Sequence, residues 1–494
     1  MQDLEILKNL IEIDRDSERA VYLQVAQSFV RNIRRGRLRK GLKLPGTRKV
    51  ADLLGINRMT MVAAFDELKA QGWIETVPRK ETFVKRDLPD ITPKRFAREK
   101  EISHFPREAS FPVNTDRVVQ FPQSNFQVVG KLMIDDGFPD TRLAPVDRLM
   151  QSMRSISRKP VYKKYLRYGG PLGTDRLRET LANYLADTRG LPLSTENIMI
   201  TRGAQMGINL AARLLLQPGD DIIMTEPSFF GAQLTFQQRK AVINRVPVDE
   251  QGMDLDAVER LCQQKDIKLI YVVPHHHFPT TVTLTPKRRI KLLDLAKEHR
   301  FAIIEDDYDY DFHYASSPML PMASLDQHGS VIYIGTLTKT LAPSIRIGFT
   351  LGAENYIAAA SHLRRTIDWQ GDSLRELAIA ELYRDGTISR HIKKSVKTYR
   401  KRWDHFCGLL ESHLGGHVTF AKPEGGMSVW TTFRDCDLKK LSANASEKGL
   451  IMGDGELFNT EEHNYNSARL GFASLNVEEQ EKAVKILASC LPGL

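Results

Sequence analysis

From Lys131 onward, short apolar runs alternate with helical stretches, and this alternation restricts the fold more than any other feature. The runs are Ile198–Thr201, Asp221–Thr225, Leu269–Val273, Ala302–Ile304 and Val331–Ile334. Apolar runs separated by helices predict a mostly parallel sheet wrapped on both faces. At about 360 residues the stretch is long for one core, so a large and a small lobe are expected. It contains no internal repeat and no low-complexity tract. The whole chain, 494 residues, has room for two to four domains at about 100–200 residues each. No run approaches the roughly 18 apolar residues of a membrane span. The early acids of MQDLEILKNLIEIDRD leave no apolar region for a secretory leader. Cys262, Cys407, Cys436 and Cys490 lie far apart with no CxxC pair, which fits a reducing cytoplasm rather than a disulfide framework or structural zinc.

Charge separates the two ends. The net charge is +10, yet residues 1–86 alone hold 18 Lys+Arg against 11 Asp+Glu, a net of +7. Arg31–Lys49 has nine basic residues and no acid. Concentrated positive charge is the footprint of a polyanion partner, although a solvated charged face has the same composition.

The same end carries helical punctuation. Tyr22, Val25, Ala26, Phe29 and Ile33 recur at helical spacing and Gly36 stops the run. In LPGTRKVADLLG, Thr47 is expected to cap a helix with Val50, Ala51 and Leu54 inward, closed by Gly55. Asn57 is expected to cap a third helix, with Met61, Phe65 and Leu68 inward and Gly72 at its end. Trp73–Val77 and Thr82–Lys85 read as strands around the basic turn Pro78–Glu81. Three helices and a hairpin predict a winged helix-turn-helix, whose third helix enters a DNA major groove. Arg86–Gly130 is polar, proline-bearing and aperiodic, and reads as a linker. The expected division is 1–86 DNA-binding, 87–130 linker, 131–494 α/β domain.

Over roughly residues 20–86, the pieces GRLRKGLKLPGTR, NRMT and the hairpin ending TFV resemble the GntR family of bacterial regulators. The resemblance places Arg48, Arg58 and Thr60 where that family contacts DNA. An arginine fork in the first turn of such a helix can take a guanine or a phosphate in two hydrogen bonds. The turn PRKE lacks the usual wing glycines, but Arg79 and Lys80 could still meet a phosphate.

Eight further motifs occur in order: YGGPLGTDRLRETLANYL, ITRGAQMGI, EPSFF, VVPHHHFPT, IIEDDYDYDF, IGTLTKTLAPSIRIGF, GGMSVW and ARLGFAS. The series resembles fold-type-I pyridoxal-phosphate (PLP) enzymes of the aspartate aminotransferase superfamily. By that resemblance Lys339 forms a Schiff base with PLP; a plain surface lysine is the alternative. The pyridine nitrogen needs a buried carboxylate. Asp306 matches best, with Glu305 and Asp307 as rivals. Tyr308 is expected at the ring hydroxyl and Phe229 on the ring face, with Phe230 in the core. Gly203, Ala204 and Gln205, at a strand-to-helix turn, are expected to take the phosphate together with Thr336, Thr338 and Arg346. Arg469 occupies the position that binds a substrate carboxylate; a structural ion pair would use the same residue type. His276 either lines the cofactor site or is a satisfied loop histidine. Consecutive side chains of an extended chain point apart, so His275–His277 are not expected to hold a metal. Asp135–Asp136 and Asp435–Asp437 are expected to be solvated.

The two halves together resemble the MocR family of regulators. That resemblance implies a bacterial, cytoplasmic, PLP-dependent transcription factor binding an operator in double-stranded DNA. It implies a sensor for an amino compound or PLP itself, a head-to-tail homodimer and no membrane. A catalytically active aminotransferase with an accessory DNA-binding domain is the alternative. Thr338 replaces a more usual serine, Thr281 stands where glycine is common, and HHH replaces Ser-His-Gln. Gly231 stands where some members carry a second arginine for a ligand carboxylate.

Overall fold

The computed structural model describes residues 7–8, 10–15, 17, 19–77, 81–88, 108–113, 132–314, 319–434, 436–460 and 462–491. The chain divides into two compact units, Met1–Val113 and Asn114–Leu494. The division falls within the segment read as a linker.

In the first unit, helix α1 (Val21–Arg34) buries Val25, Ala26, Phe29 and Ile33, while Tyr22 is only half-buried. Strand β1 (Lys43–Leu44) leads to α2 (Thr47–Leu54) and α3 (Arg58–Ala70). The cap of α2 is Gly46, with extended φ and ψ, and Thr47 is already helical. This corrects the expected start by one residue: the helix begins at Thr47 itself, with no side-chain acceptor at its cap. Gly55, at φ +64°, ends α2 in the left-handed conformation, which glycine adopts without a Cβ penalty. Asn57 caps α3 as expected, its Oδ1 accepting the Met59 N–H at 2.8 Å. Strands β2 (Ile74–Val77) and β3 (Glu81–Val84) make the hairpin, in register Ile74↔Val84. On β3, β1 adds a third antiparallel strand that its two residues are too few to announce. Phe29 and Phe65 meet edge-to-face, centroids 5.8 Å apart, among Val50, Met61, Leu68, Ile74 and Val84. The unit is a winged helix-turn-helix.

The second unit begins with β4 (Leu132–Ile134). Eight strands then form one sheet: β5 (Ile198–Thr201), β6 (Asp221–Glu226), β7 (Val242–Asp249), β8 (Gly252–Met253), β9 (Ile267–Val272), β10 (Ala302–Asp307), β11 (Val331–Thr336) and β12 (Gly348–Leu351). Their order is β5-β12-β11-β10-β9-β6-β7-β8. The contacts among β7, β6, β9, β10 and β11 are parallel, whereas β8 runs antiparallel to β7 and β12 antiparallel to both its neighbours. Alternate residues feed opposite faces. Ile223, Ile270, Val272, Ile303 and Tyr333 enter one core. Ile222, Met224, Tyr271, Ile304, Ile332 and Ile334 enter another, against Ile208 and Ala211 of the helix Ala204–Leu215.

A smaller lobe holds β13 (Val418–Phe420), β14 (Ser428–Phe433) and β16 (Ser467–Gly471) in an antiparallel sheet, and β15 (Leu450–Met452) parallel to β4. The 28-residue helix Thr387–Leu414 spans both lobes: Ile388 packs in the large-lobe core, and Phe406, Leu410 and Leu414 in the small-lobe core. The fold is the fold-type-I transferase architecture with two lobes.

Candidate functional site

Strand alternation decides among the three carboxylates of EDD. Asp306 pairs with Ile334 and continues the face of Ile304 and Tyr271, toward the helix Ala204–Leu215. Glu305 and Asp307 point to the other face. There Glu305 accepts the Met322 and Ala323 N–H groups at 2.8 Å each, and Asp307 accepts the Tyr333 hydroxyl at 2.7 Å. Asp306 accepts the Tyr271 hydroxyl at 2.7 Å on Oδ2, while its buried Oδ1 has no partner among the described residues. Burial pushes its pKa from 3.8 up to about 7.

Beyond β11 the chain turns through Thr336 and Thr338, joined Oγ1 to Oγ1 at 2.9 Å, into Lys339. The Lys339 ammonium donates to the Gly137 carbonyl at 2.5 Å and stands 4.1 Å above the Phe138 ring. Burial, aided by Arg469, lowers its pKa to about 8. Lys339 is therefore not a plain surface cation.

The helix Ala204–Leu215 begins at Gly203, whose φ is +84°. A Cβ at Gly203 would stand 3.1–3.3 Å from the Arg346 guanidinium, so the missing side chain leaves the guanidinium beside the helix start. Arg346 is exposed and donates to the Arg202 carbonyl at 2.7 Å. First-turn N–H groups of a helix have no intrahelical acceptor and attract anions. Gln205 offers only its backbone here, because its side chain bonds Gly231 O at 3.0 Å and Thr235 Oγ1 at 2.7 Å.

Phe229 lies 5.2 Å from both the Phe230 and Phe278 rings. Phe230 is half-buried rather than core, because it opens the helix Phe230–Gln238 at the rim of the sheet. A Cβ at Gly231 would come within 2.7 Å of the Phe229 ring, so that position leaves the ring its space and has none for a second arginine.

Tyr308 donates its hydroxyl to the His276 carbonyl at 2.8 Å. Arg469, almost fully buried, donates to Asp136 O and Pro279 O at 3.1 Å each and to Tyr308 Oη at 3.3 Å. The guanidinium also stands 4.4 Å over the Phe278 ring. None of these acceptors is a carboxylate, so Arg469 is not spent in a structural ion pair among the described residues.

The three histidines diverge. His275 Nε2 meets Met319 O at 2.7 Å, His276 Nδ1 meets Asp309 at 2.9 Å, and His277 bridges Thr225 and Thr280 at 2.8 Å each. The His276 ring faces Asp309 and the Gly425–Gly426 turn, and only its carbonyl reaches Tyr308. Burial lowers the His277 pKa to about 3. Asp135 and Asp136 are not solvated as expected. Asp135 is buried, accepting the Gly137 and Phe138 N–H groups at 2.8 Å, and Asp136 is half-buried beside Arg469. Asp437 instead caps the helix Leu438–Glu447, and Asp435 lies outside the described residues.

On the first unit, Arg48 and Arg58 are exposed and Thr60 is half-buried, Arg48 in the first turn of α2 and the other two in the first turn of α3. Met59, 69% exposed between them, was not singled out from the sequence, because a lone methionine carries no charge signal. Arg79 and Lys80 lie outside the described residues.

Residues 138–487 match the family model described as aminotransferase class I and II. This chain belongs to the aminotransferase class I and II family. Residues 21–84 match the gntR family of bacterial regulatory proteins, so a GntR-type DNA-binding domain precedes the aminotransferase-like domain in the MocR arrangement. The chain is 26% identical to a probable rhizopine catabolism regulatory protein, MocR, of Rhizobium meliloti, covering 98% of this chain and 96% of that one. It is 28% identical to the HTH-type transcriptional regulator YdfD of Bacillus subtilis over 94% of each. An aromatic-amino-acid aminotransferase of Thermococcus litoralis is 30% identical, over 72% of this chain and 86% of its own length. Among solved structures, the kynurenine aminotransferase of Pyrococcus horikoshii, in complex with PMP, superposes with a TM-score of 0.71 at 29% identity, over 77% of this chain and 96% of that one.

The aminotransferase fold implies PLP, and the residues present fit it. The orphaned, buried Asp306 Oδ1 needs a donor, and the space a Cβ would fill at Gly203 adjoins a guanidinium and free helix-start N–H groups. Tyr271, which fixes Asp306, was missed from the sequence. Its signal was a tyrosine inside an otherwise apolar run, where a buried hydroxyl requires a partner.

Proposed function

We propose that this chain is a PLP-dependent, DNA-binding transcription regulator of the MocR type that senses an amino compound, or PLP itself, through its aminotransferase-like domain. What carries the reading is that one chain holds both a half-buried Lys339 with the buried Asp306 and Arg469 and a helix-turn-helix whose leading arginine, Arg58, is exposed. Asp306 would hold a proton at the pyridine nitrogen, Tyr308 would meet the ring hydroxyl, and Phe229 would cover the ring. Gly203, Ala204, Gln205, Thr336, Thr338 and Arg346 would hold the phosphate, and Lys339 the aldehyde. When bound, PLP supplies an aldehyde that takes amines and a ring that withdraws electrons. Arg469 would clamp a carboxylate on the amine through a charge-assisted fork. Arg48, Arg58 and Thr60, with Arg79 and Lys80, would contact the operator. The reading includes a head-to-tail homodimer in the bacterial cytoplasm, which light scattering would check. Among the described residues no helix is long and apolar enough to cross a membrane.

The deciding experiment is a visible spectrum of the protein with PLP, titrated with free amino acids, with DNA binding read on the same samples. A protein that stays colourless with PLP, or whose spectrum and DNA affinity never move together, overturns the reading. The complete Lys339, Asp306 and Arg346 set also favours a second reading, an active aminotransferase with an accessory DNA-binding domain. Multiple turnovers with an amino donor and an oxo acid would establish it.

A further inference from the structure

Between Asp385 and Asp404 the lobe-spanning helix carries seven basic residues and no acid: Arg390, Lys393, Lys394, Lys397, Arg400, Lys401 and Arg402. Arg402 is buried against Asp140 at 2.9 Å. The other six are exposed, and none forms an ion pair with a carboxylate among the described residues. Arg390, Lys394, Lys397 and Lys401 recur at i, i+4, i+7 and i+11, one line along one helix face, with Lys393 and Arg400 beside it. At 1.5 Å per residue the line is about 16 Å long.

Some lysines elsewhere in this unit are paired with carboxylates. Lys291 sits 2.7 Å from both Asp256 and Glu259, and Lys485 lies 3.8 Å from Glu481. Residues 87–494 have a net charge of +3, being the chain's +10 less the +7 of residues 1–86. Without the seven basic residues of this segment they would be net −4. The line on this helix is thus one of the concentrations of positive charge in that stretch, Arg154–Arg167 being another. Like charges at i, i+4 oppose helix formation, so the helix bears the line at a cost to its own stability.

We propose that this stripe is a second, sequence-independent DNA contact that seats the phosphate backbone of duplex flanking the site read by the helix-turn-helix. The proposal rests on the reading of the chain as a DNA-binding regulator. The occupant is DNA because the GntR-type domain brings duplex to the same chain. Each strand of duplex DNA carries one phosphate charge per about 3.4 Å of axis, so a line about 16 Å long spans about five on one strand. Lysine is a point charge suited to phosphate, and the exposed line carries no amide or aromatic side chain that would read base edges.

The test uses the full chain with PLP and a random-sequence duplex of about 60 base pairs, with affinity measured against salt. The triple variant Lys394→Gln/Lys397→Gln/Lys401→Gln keeps good helix formers at exposed positions. It should lose at least tenfold in affinity at low salt, and its log–log salt slope should shallow by about 2–3 units, near 0.9 per phosphate contact. A control triple at exposed lysines elsewhere, Lys287→Gln/Lys297→Gln/Lys440→Gln, removes equal charge and should leave the slope within about 0.5 unit of wild type. Equal slope changes in both triples, or none in the first, overturn the stripe. If the stripe triple leaves the slope unchanged while Arg58→Ala weakens binding, the regulator reading stands and the stripe alone falls. A wild type that binds no duplex overturns both.

Discussion

Asp306 is held in the fold against its own ionisation. Its folded pKa, raised by burial to about 7 from 3.8, means that the folded state binds the proton more tightly than the unfolded chain does. The stability from that proton is fully present below pH 3.8 and is lost as pH rises through about 7. Asp306→Asn abolishes this titration. Without PLP the variant should melt above wild type at pH 8, and the gap should narrow as pH falls below 7; parallel melting curves across that range would refute the account. The same variant should bind PLP more weakly, because a neutral amide cannot hold a proton at the ring nitrogen. Lys339 carries the opposite shift: burial lowers its pKa from 10.5 to about 8, so its neutral amine appears above pH 8. The rate at which the PLP-free protein develops visible absorbance on adding PLP should therefore rise with pH through about 8. Lys339→Ala should develop none and keep its circular dichroism. Arg469 donates only to two carbonyls and a tyrosine hydroxyl, and a ligand carboxylate is a stronger acceptor for the same fork. Arg469→Ala should keep the visible band but weaken the spectral response to carboxylate-bearing amines by tenfold or more, the loss of one charge-assisted bond worth roughly 1.5–3 kcal/mol. Wild-type sensitivity in that titration would place the ligand carboxylate elsewhere.

At the scale of elements, the helix-turn-helix turns capping into presentation. The Asn57 side chain fixes the start of α3, and with it the outward direction of Arg58. Arg58→Ala should therefore weaken DNA binding by roughly 1–3 kcal/mol without altering the visible spectrum, as gel shift and absorbance on one sample would show. Phe65→Ala, by contrast, opens the edge-to-face pair with Phe29 and should cost the unit about 3–5 kcal/mol, read in denaturant unfolding. Which elements were legible follows from how each one is buried. Strands β5, β6, β9, β10 and β11 are buried on both faces and stand out as apolar runs. Strand β7, reading VINRVPVD and largely half-buried at the sheet's flank, does not, and β1 and β8 are two residues each. In the site, Lys339 and Arg469 were visible because motif spacing carries them. Their acceptors were not: Gly137 lies 202 residues from Lys339, and local pattern is silent on such pairings. Asp135 and Asp136 read as solvated for the same reason. Thr281 shows the reverse case, where a sequence feature becomes a conformation: it stands at φ +64°, where a β-branched residue is strained. His276 and Arg346, at φ +42° and +52°, add two more left-handed residues around the same site.

For the whole molecule, the two units act as one device only if binding at one changes the free energy of binding at the other. An amine with equal affinity for every arrangement of the chain shifts none of them, however tightly it binds. Any coupling must also be reciprocal: if an amine changes DNA affinity by some factor, saturating DNA changes amine affinity by the same factor. Couplings of this kind are typically about 1–3 kcal/mol, or roughly 5- to 150-fold. The contact that an amine would displace is the Lys339 side chain, seated on the Gly137 carbonyl. Gly137 follows Asp136, whose carbonyl is held by Arg469, so a ligand bound there would engage both the large-lobe lysine and the small-lobe arginine. We therefore expect two titrations to agree: amine against visible absorbance with and without duplex, and duplex binding with and without amine. The two coupling factors should match within error for wild type and fall together toward one in Arg469→Ala. A wild type whose spectrum shifts fully with amine while both factors stay at one would show that the units share a chain and nothing else, and the sensing function would have to be abandoned in favour of turnover.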